Sequence, residues 1–283
     1  MKKHPQRSLA ARLVLTLLPL VGLVGCGLIE ARPTARVTGV KLKDIDLTAV
    51  TMLFDVEVDN PYAVPLPLVN VDYSLASGDK PFLSGEAELQ GTVPAKDKKT
   101  ISLPAKVTYK QLLGALAGVK PGSVVPYRAG LGLSVDAPLL GRLRVPMEKE
   151  GELPVPAPPE VSVQQITWDK LSPTSAGGTI RLNVVNRNQF PVDLSQLAYG
   201  LTLGKTEVAK ATLAKPLKLA ADGGAGVLEV PISLSPSKLG FAVLGMLTGD
   251  GANYKLAGDA SVGTPFGPMK LPIEKAGKTV FRK

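Results

Sequence analysis

Hydrophobic and polar residues alternate along two separate stretches of the chain. The first is TMLFDVEVD, residues 51–59, and the second is GGTIRLNVV, residues 177–185. Because successive side chains of a strand point to opposite faces, this period of two predicts two strands that each bury one face. The apolar positions are Met52, Phe54, Val56 and Val58 in the first stretch, and Ile180, Leu182 and Val184 in the second.

The two stretches belong to an internal repeat. Residues 56–75, VEVDNPYAVPLPLVNVDYSL, align with VVNRNQFPVDLSQLAYGL at 184–201, and Asn60 and Asn186 are 126 positions apart. Later, the apolar positions of 101–107 correspond to those of 228–234 with one residue gained in a loop. The chain therefore contains two copies of one folding unit.

Each copy continues into a helical pattern. Leucines and a valine recur on one helix face in TYKQLLGALAGVKPG, residues 108–122, and in SPSKLGFAVLGMLTGDG, residues 235–251. Ser235 and Pro236 form a start signal for the second helix. Proline and glycine at residues 120–122, and glycines at 248–251, are predicted to stop the two helices. The apolar residues on these faces are Leu112, Leu113, Leu116, Leu239, Val243, Leu244 and Leu247.

The repeat predicts a mainly β fold. Several short strands, one α-helix and further strands in each copy are typical of an antiparallel β-sandwich of the fibronectin III or immunoglobulin kind. A chain of 283 residues has room for two such domains. We predict sandwiches at 37–151 and 161–283, joined by a proline-rich linker at 152–160. One continuous larger sandwich is the less favoured alternative, because each copy is complete.

The first 36 residues indicate export and anchoring. A basic start and a short apolar run, interrupted by Pro19, are typical of a signal peptide at 1–25. The sequence Leu-Val-Gly-Cys that ends at Cys26 resembles the lipobox of bacterial lipoproteins, and Cys26 is the single cysteine. That resemblance implies acylation of Cys26, as by palmitate, followed by a tether at 26–36. Gly27 in place of aspartate implies the outer membrane, facing the periplasm.

The turns after the alternating strands resemble a family signature. The segments Asn-Pro-Tyr-Ala-Val-Pro-Leu, residues 60–66, and Asn-Arg-Asn-Gln-Phe-Pro-Val, residues 186–192, resemble the late embryogenesis abundant group 2 proteins, also called the water stress and hypersensitive response domain. Asparagine and proline favour turns, so a structural role is expected for these residues. Because Arg187 replaces the motif proline, we expect a looser second turn. The motif residues are Asn60, Pro61, Pro65, Asn186, Asn188 and Pro191.

The resemblance implies a non-catalytic role in protecting the envelope from desiccation or osmotic stress, through contacts with proteins or membranes. Two other roles stay open. One is a carrier of lipid or another small hydrophobic ligand, held between the sheets of one module. The other is a scaffold in an envelope assembly. Basic residues, which give a net charge of +9, are dispersed and could contact anionic lipid headgroups. The predicted compartment excludes nucleic acid.

Catalytic and metal-binding patterns are weak. GLTLGKT, residues 200–206, is one residue short of a phosphate-binding loop and follows a strand without opening a helix. Asp55, Glu57 and Asp59 share one strand face, where a cation site is a weaker interpretation than a solvated surface. His4, the single histidine, lies in the predicted signal peptide, so histidine-based triads and zinc sites are excluded. We predict neither enzyme activity nor a cofactor.

Overall fold

The computed structural model describes residues 32–138, 140–172, 175–203, 206–212, 216–234 and 252–279. Within these residues, one helix, α1 (Tyr109–Ala115), accompanies sixteen strands. The strands of the first copy are β1 (Thr34–Lys43), β2 (Ala49–Asp59), β3 (Leu66–Ser77), β4 (Lys80–Glu88), β5 (Thr92–Val93), β6 (Lys98–Thr108), β7 (Val124–Ala137) and β8 (Gly141–Pro154). Those of the second are β9 (Glu160–Leu171), β10 (Ala176–Val185), β11 (Val192–Leu203), β12 (Thr206–Thr212), β13 (Leu217–Leu219), β14 (Ala225–Leu234), β15 (Ala252–Thr264) and β16 (Gly267–Thr279).

Each copy forms two sheets of its own. The first copy has a three-stranded sheet, β1-β2-β6, and a five-stranded sheet in which β4-β3-β7-β8 are joined by β5 beside β3. The second copy repeats this order with β9-β10-β14 and β12-β11-β15-β16, and β13 pairs with β11. The ladders between these strands are antiparallel. The predicted mainly β fold of two tandem sandwiches is confirmed.

The alternating positions face the cores. On β2, Phe54 is 1% exposed, and on β10 its counterpart Ile180 is 5% exposed. Facing sheets contribute residues such as Leu75, Leu133 and Leu201, which are equally buried. The apolar residues of the two sandwiches join in one continuous cluster. Burying each large side chain contributes about 1.5–3 kcal/mol, so the repeated alternation supplies much of the force for folding.

The first predicted helix is present but ends early. Residue Leu112 is fully buried on α1, as predicted, and Leu113 is partly buried. The helix ends at Ala115 rather than at residues 120–122, because Leu116 adopts an extended backbone with φ −111° and ψ 101°. This conformation lets Leu116 enter the core, where it is 5% exposed. The second predicted helix, at 235–251, lies outside the described residues.

The first part of the connection between the copies is buried, whereas Pro158 is exposed. Strand β8 continues through the first residues of the predicted linker and ends at Pro154, and β9 begins at Glu160. Between them, Val155 and Ala157 are 1% and 6% exposed. Residues 32–283 form one compact unit. The two sandwiches are therefore packed together, although the predicted boundaries themselves stay predictions.

A tyrosine lies over a glycine on the neighbouring strand in both copies. Tyr127 pairs with Gly151 across β7 and β8, and Tyr254 pairs with Gly277 across β15 and β16. A Cβ atom added to Gly151 would lie 2.7 Å from the hydroxyl oxygen of Tyr127. Glycine therefore leaves the space that the aromatic ring fills, and the ring in turn covers backbone that glycine leaves bare.

Candidate functional site

The first motif turn is organised by a fully buried asparagine. Asn60 follows β2 and is 0% exposed. Its Nδ2 donates to the carbonyl oxygens of Val64, Val93 and Pro94 at 2.9, 3.1 and 2.9 Å. Its Oδ1 accepts from the backbone N–H of Tyr62 at 2.9 Å. One side chain thus ties the turn before β3 to the end of β5 and to the residue that follows it.

The second motif turn keeps the same arrangement. Asn186 is also 0% exposed, and its Nδ2 donates to the carbonyl oxygens of Phe190 and Ala220 at 2.8 and 2.9 Å. Its Oδ1 accepts from the backbone N–H of Asn188 at 3.0 Å. The expected loosening by Arg187 is not seen. Instead, the guanidinium of Arg187 donates to the carboxylate of Glu160, with Nε 2.9 Å from Oε2.

Side chains of the second turn also join the two sandwiches. Asn188 is 2% exposed and holds the backbone of Ala157 from both sides, accepting from its N–H at 2.8 Å and donating to its carbonyl at 3.2 Å. The Oε1 of Gln189 accepts from the N–H of Val124 at 2.8 Å, and its backbone N–H donates to the carbonyl of Gly122 at 2.8 Å. We call Asn188, Gln189, Ala157, Gly122 and Val124 the module clamp.

The motif turn of the first copy has a different surface. Its positions equivalent to Asn188 and Gln189 are Tyr62 and Ala63. Val64, in the same turn, is 47% exposed. The two asparagine centres are therefore alike inside the fold, while only the second turn carries amide groups that bind the neighbouring sandwich.

The acidic residues on β2 are paired with basic ones. Lys41 Nζ lies 2.8 Å from Asp55 Oδ2, and the hydroxyl of Ser102 donates to Asp55 Oδ1 at 2.7 Å. These hydrogen bonds, from Lys41 first, hold the pKa of Asp55 below its usual value. Glu57 is bound by Arg36 at 3.0 Å. Among the residues that the structure describes, no cluster of acidic, histidine or cysteine side chains could hold a metal ion.

The segment that resembles a phosphate-binding loop is part of a hairpin. Gly200 lies within β11, which pairs with β12 beginning at Thr206. The intervening residues 204–205 lie outside the described residues. In the first copy the corresponding turn contains Gly78 at φ +56°. Since a phosphate-binding loop opens a helix, a strand on both sides excludes that interpretation.

A cleft of about 990 Å³ lies beside the first sandwich. It opens between β1, β8 and the turn that joins β15 to β16. Its volume lies within the range of small-molecule sites. Burial raises the pKa of Tyr127 in its wall, so this hydroxyl stays protonated. Apolar and charged groups both line it, among them Val40, Leu42, Tyr127, Phe266, Lys43, Lys149 and Glu152.

The predicted lipid anchor lies outside the described residues. Cys26 and the predicted signal peptide lie outside the described residues, so acylation stays a prediction. Within the ranges that are described, no helix is sufficiently long and apolar to cross a membrane.

Comparison with known proteins identifies the family. A family profile described as late embryogenesis abundant protein matches residues 55–151 and 181–277, which together exceed half of the chain. The chain belongs to this family. The matched regions begin within β2 and β10 and end within β8 and β16, so they cover each sandwich except its first strand and include both motif asparagines. The resemblance inferred from the motif turns is confirmed.

Individual relatives align with about one module of this chain. A soybean (Glycine max) protein named desiccation protectant protein Lea14 homolog is 33% identical over 125 residues, which are 44% of this chain and 82% of the relative. A probable desiccation-related protein LEA14 of Arabidopsis thaliana is 29% identical, over 44% and 83% of the two chains. A solution structure of an Arabidopsis thaliana protein is 28% identical, with a TM-score of 0.38 over 45% and 84%.

Two features of this late embryogenesis abundant protein escaped sequence reasoning. The module clamp depends on Asn188 and Gln189. A comparison of the two copies shows that both positions differ between them, but it does not identify the residues that these side chains bind. The basic residues that pair with the carboxylates of β2 lie on two other strands, β1 and β6. On β1 these basic residues occupy exposed positions between partly buried apolar ones, and that alternation is the signal that would have located them.

Proposed function

We propose that this chain is a non-catalytic stress-protection protein that acts through its outer surface. The supporting observation is that one module aligns over most of the length of a relative named as a desiccation protectant. The motif asparagines are engaged in internal hydrogen bonds, and the β2 carboxylates are engaged in ion pairs. Contacts with other proteins or with membranes are thus left to the exposed strand faces.

The proposal includes a place in the cell. Acylation at Cys26 would tether the two sandwiches to the outer membrane, facing the periplasm. Support comes from the signal-like residues 1–25 and from the lipobox-like residues that end at Cys26. Multiple acyl chains meet the requirement for stable anchoring, since each buried CH₂ group contributes about 0.8 kcal/mol.

Drying assays test the protective role directly. The purified full chain is dried with a dehydration-sensitive enzyme, and the activity recovered on rehydration is measured against an equal mass of the double variant Asn60→Asp/Asn186→Asp. That control keeps the composition almost unchanged but places carboxylates against buried carbonyl oxygens, so it should not fold. The folded chain should preserve more activity than the control. Equal recovery would count against surface-mediated protection by the fold.

A genetic test addresses the role in the cell. Deleting the gene should reduce survival after drying and osmotic shock, and the unchanged gene should restore it. A Cys26→Ala gene product should restore survival only in part if anchoring matters. Unchanged survival of the deletion strain would remove the support for a stress role.

The cleft beside β1 and β8 favours a second candidate function, ligand carriage. The carrier hypothesis placed the ligand between the sheets of one module, whereas this cleft lies at the edge of the first sandwich and is bordered by residues 265–268 of the second. Its mixed lining suits an amphipathic molecule. Native mass spectrometry of the chain purified from cells should reveal a bound small molecule if this function is correct, and a bare protein mass would argue against it.

A further inference from the structure

The two sandwiches are joined head to tail. In the first sandwich, β7 begins at Val124 and ends at Ala137, beside the start of β3 that follows the motif turn. We call the end of a sandwich that carries its motif turn the motif end. The module clamp joins the motif end of the second sandwich to the opposite end of the first, through the side chains of Asn188 and Gln189.

A second contact joins the same two ends. In the second sandwich, Gly263 of β15 pairs with Asp193 directly after the motif turn, so the turn between β15 and β16 belongs to the motif end. At the start of β16, Met269 forms an isolated bridge with Ile45, which precedes β2, and the N–H of Lys270 donates to the carbonyl of Ile45 at 3.2 Å. Ile45 and Met269 are each 2% exposed. The motif end of the second sandwich is therefore a surface that docks on the first.

The motif end of the first sandwich carries exposed apolar residues instead. Val64 in the motif turn is 47% exposed, whereas its repeat counterpart Phe190 is 3% exposed. The ring of Phe190 packs edge to face against Phe266, with ring centroids 5.4 Å apart. Ala63 and Pro65, on either side of Val64, are exposed as well. We call these three residues of the first turn the apolar tip.

The chain enters the fold at this same end. Thr34, the first residue of β1, pairs with Asp59, which directly precedes the motif turn. The connection from Cys26 to Thr34 is short, and it spans at most about 30 Å when extended. A lipid on Cys26 would therefore keep the motif end of the first sandwich near the membrane. The second sandwich would lie farther away, because the 14 residues of β7 span roughly 40 Å between the two ends.

Two lysines near the apolar tip complement an anionic membrane. The ammonium groups of Lys96 and Lys99 donate to backbone carbonyl oxygens. Neither group forms an ion pair with a carboxylate of the residues that the structure describes. Of the neighbouring carboxylates, Asp59 pairs with Lys98 at 3.4 Å, and Asp97 accepts from the N–H of Lys98. Lysines close to an anionic lipid surface are attracted to it.

We propose that the apolar tip and these two lysines form a membrane-contact surface, which enters the headgroup region of an anionic bilayer and holds the tethered chain upright. Apolar residues beside lysines are typical of segments that lie in this region. The proposal rests on the acylation proposed for Cys26. A second copy of the chain is the less favoured occupant. The positions of Asn188 and Gln189 are occupied in the first turn by tyrosine and alanine, so the side-chain hydrogen bonds of the clamp have no equivalent here.

Quenching of tryptophan by brominated lipid tests this contact. Val64→Trp adds a fluorophore to the apolar tip. Val227→Trp is the matched control, because Val227 is also 47% exposed but lies on β14 of the second sandwich. The full chains are bound to vesicles of brominated phosphatidylcholine and phosphatidylglycerol in equal amounts, and quenching of the unchanged chain is subtracted. Circular dichroism checks that each variant is folded, and the intact mass shows whether Cys26 is acylated.

Quenching of Val64→Trp should exceed that of Val227→Trp by about threefold or more, because the bromine atoms lie within the bilayer. Replacing phosphatidylglycerol by phosphatidylcholine should reduce it. Equal quenching of the two variants would overturn the proposal, and insensitivity to phosphatidylglycerol would overturn the role of the lysines. A Val64→Trp emission that shifts with protein concentration without vesicles, and is not quenched on them, would assign the apolar tip to a second copy and overturn membrane contact.

Two further arms keep the comparison decisive. If the intact mass shows no acyl group, the acylation proposal fails. The same chains are then coupled through the Cys26 thiol to a maleimide lipid, and the quenching comparison decides membrane contact separately. Should Val64→Trp fail to fold, Ala63→Trp places the fluorophore on the same exposed turn.

Discussion

Replacing Asn60 tests whether the motif asparagine holds the fold together. In Asn60→Ala, the carbonyl oxygens of Val64, Val93 and Pro94 lose their side-chain donor, and the N–H of Tyr62 loses its acceptor. Leaving a buried polar group unsatisfied costs about 1–3 kcal/mol. Because water can reach part of the turn, we expect a loss of about 3–5 kcal/mol in the free energy of unfolding, which is a large fraction of the total for a typical domain.

The aspartate variant provides a sharper comparison. Asn60→Asp has nearly the same shape, but a carboxylate oxygen would face carbonyl oxygens at a site with 0% exposure. A buried charge without a partner costs more than a missing hydrogen bond, so Asn60→Asp should be less stable than Asn60→Ala at neutral pH. At low pH the protonated carboxyl regains one donor, and the gap between the two variants should narrow.

Urea unfolding of the full chain, followed by circular dichroism, measures these differences. Asn70→Ala is the control in the same sandwich, because the Asn70 amide donates to Glu86 in an exposed hydrogen bond. Its expected loss is about 1 kcal/mol or less. If Asn60→Ala costs no more than Asn70→Ala, the asparagine does not act as the internal tie that its contacts indicate.

Three further changes should be detectable in the same unfolding assay. A Cβ on Gly122 would lie 2.3 Å from the carbonyl oxygen of Arg187, and the glycine has φ +96°, so Gly122→Ala should cost about 2 kcal/mol or more by disturbing the module clamp. Gly151→Ala should cost about 1–3 kcal/mol, because the Tyr127 ring must move. The hydrogen bond from Arg144 lowers the pKa of Asp72, so its stabilisation is present above the unfolded pKa near 4 and is lost as pH falls through the folded pKa. Asp72→Asn should therefore be less stable than the unchanged chain by about 1 kcal/mol or less near pH 7 and equal to it in acid.

Controls separate these effects from a general sensitivity to substitution. Gly114→Ala changes an exposed glycine in α1 with no atom within 4 Å of the new Cβ, so stability should be unchanged or rise by up to about 1 kcal/mol. If Gly122→Ala and Gly151→Ala behave like Gly114→Ala, the close contacts do not constrain the fold. A difference between the unchanged chain and Asp72→Asn that persists in acid would show that the ion pair is not its cause.

Local patterns of the sequence were sufficient to predict the strands and their inward faces. Phe54, Val56 and Val58 alternate with polar residues, and burial of that one face decides both the strand and its orientation. Repetition of the pattern then predicted the two sandwiches without knowledge of any pairing. The end of α1 could not be predicted in this way, because Leu116 leaves the helix to fill space in a core that other strands build.

Contacts between distant segments were beyond prediction from the sequence. The N–H of Val124 donates to the side-chain oxygen of Gln189, which is 65 positions away. Nothing in the sequence of either segment identifies the other. The β-bulges in the strand pairing could not be predicted from the sequence either. An extra residue such as Thr38 becomes visible only when the register of the partner strand is known.

The distribution of differences between the copies bears on how a binding partner would recognise the chain. Buried asparagines and tyrosine–glycine pairs occur in both copies, since each sandwich needs them to fold. The exposed face of β2 is acidic, whereas the equivalent face of β10 carries Arg181, bound to Glu229 at 2.8 Å. Two modules held by the clamp thus present chemically different faces. A partner that recognises one module by charge should not bind the other in the same way, so the duplication provides two distinct surfaces rather than two equal sites.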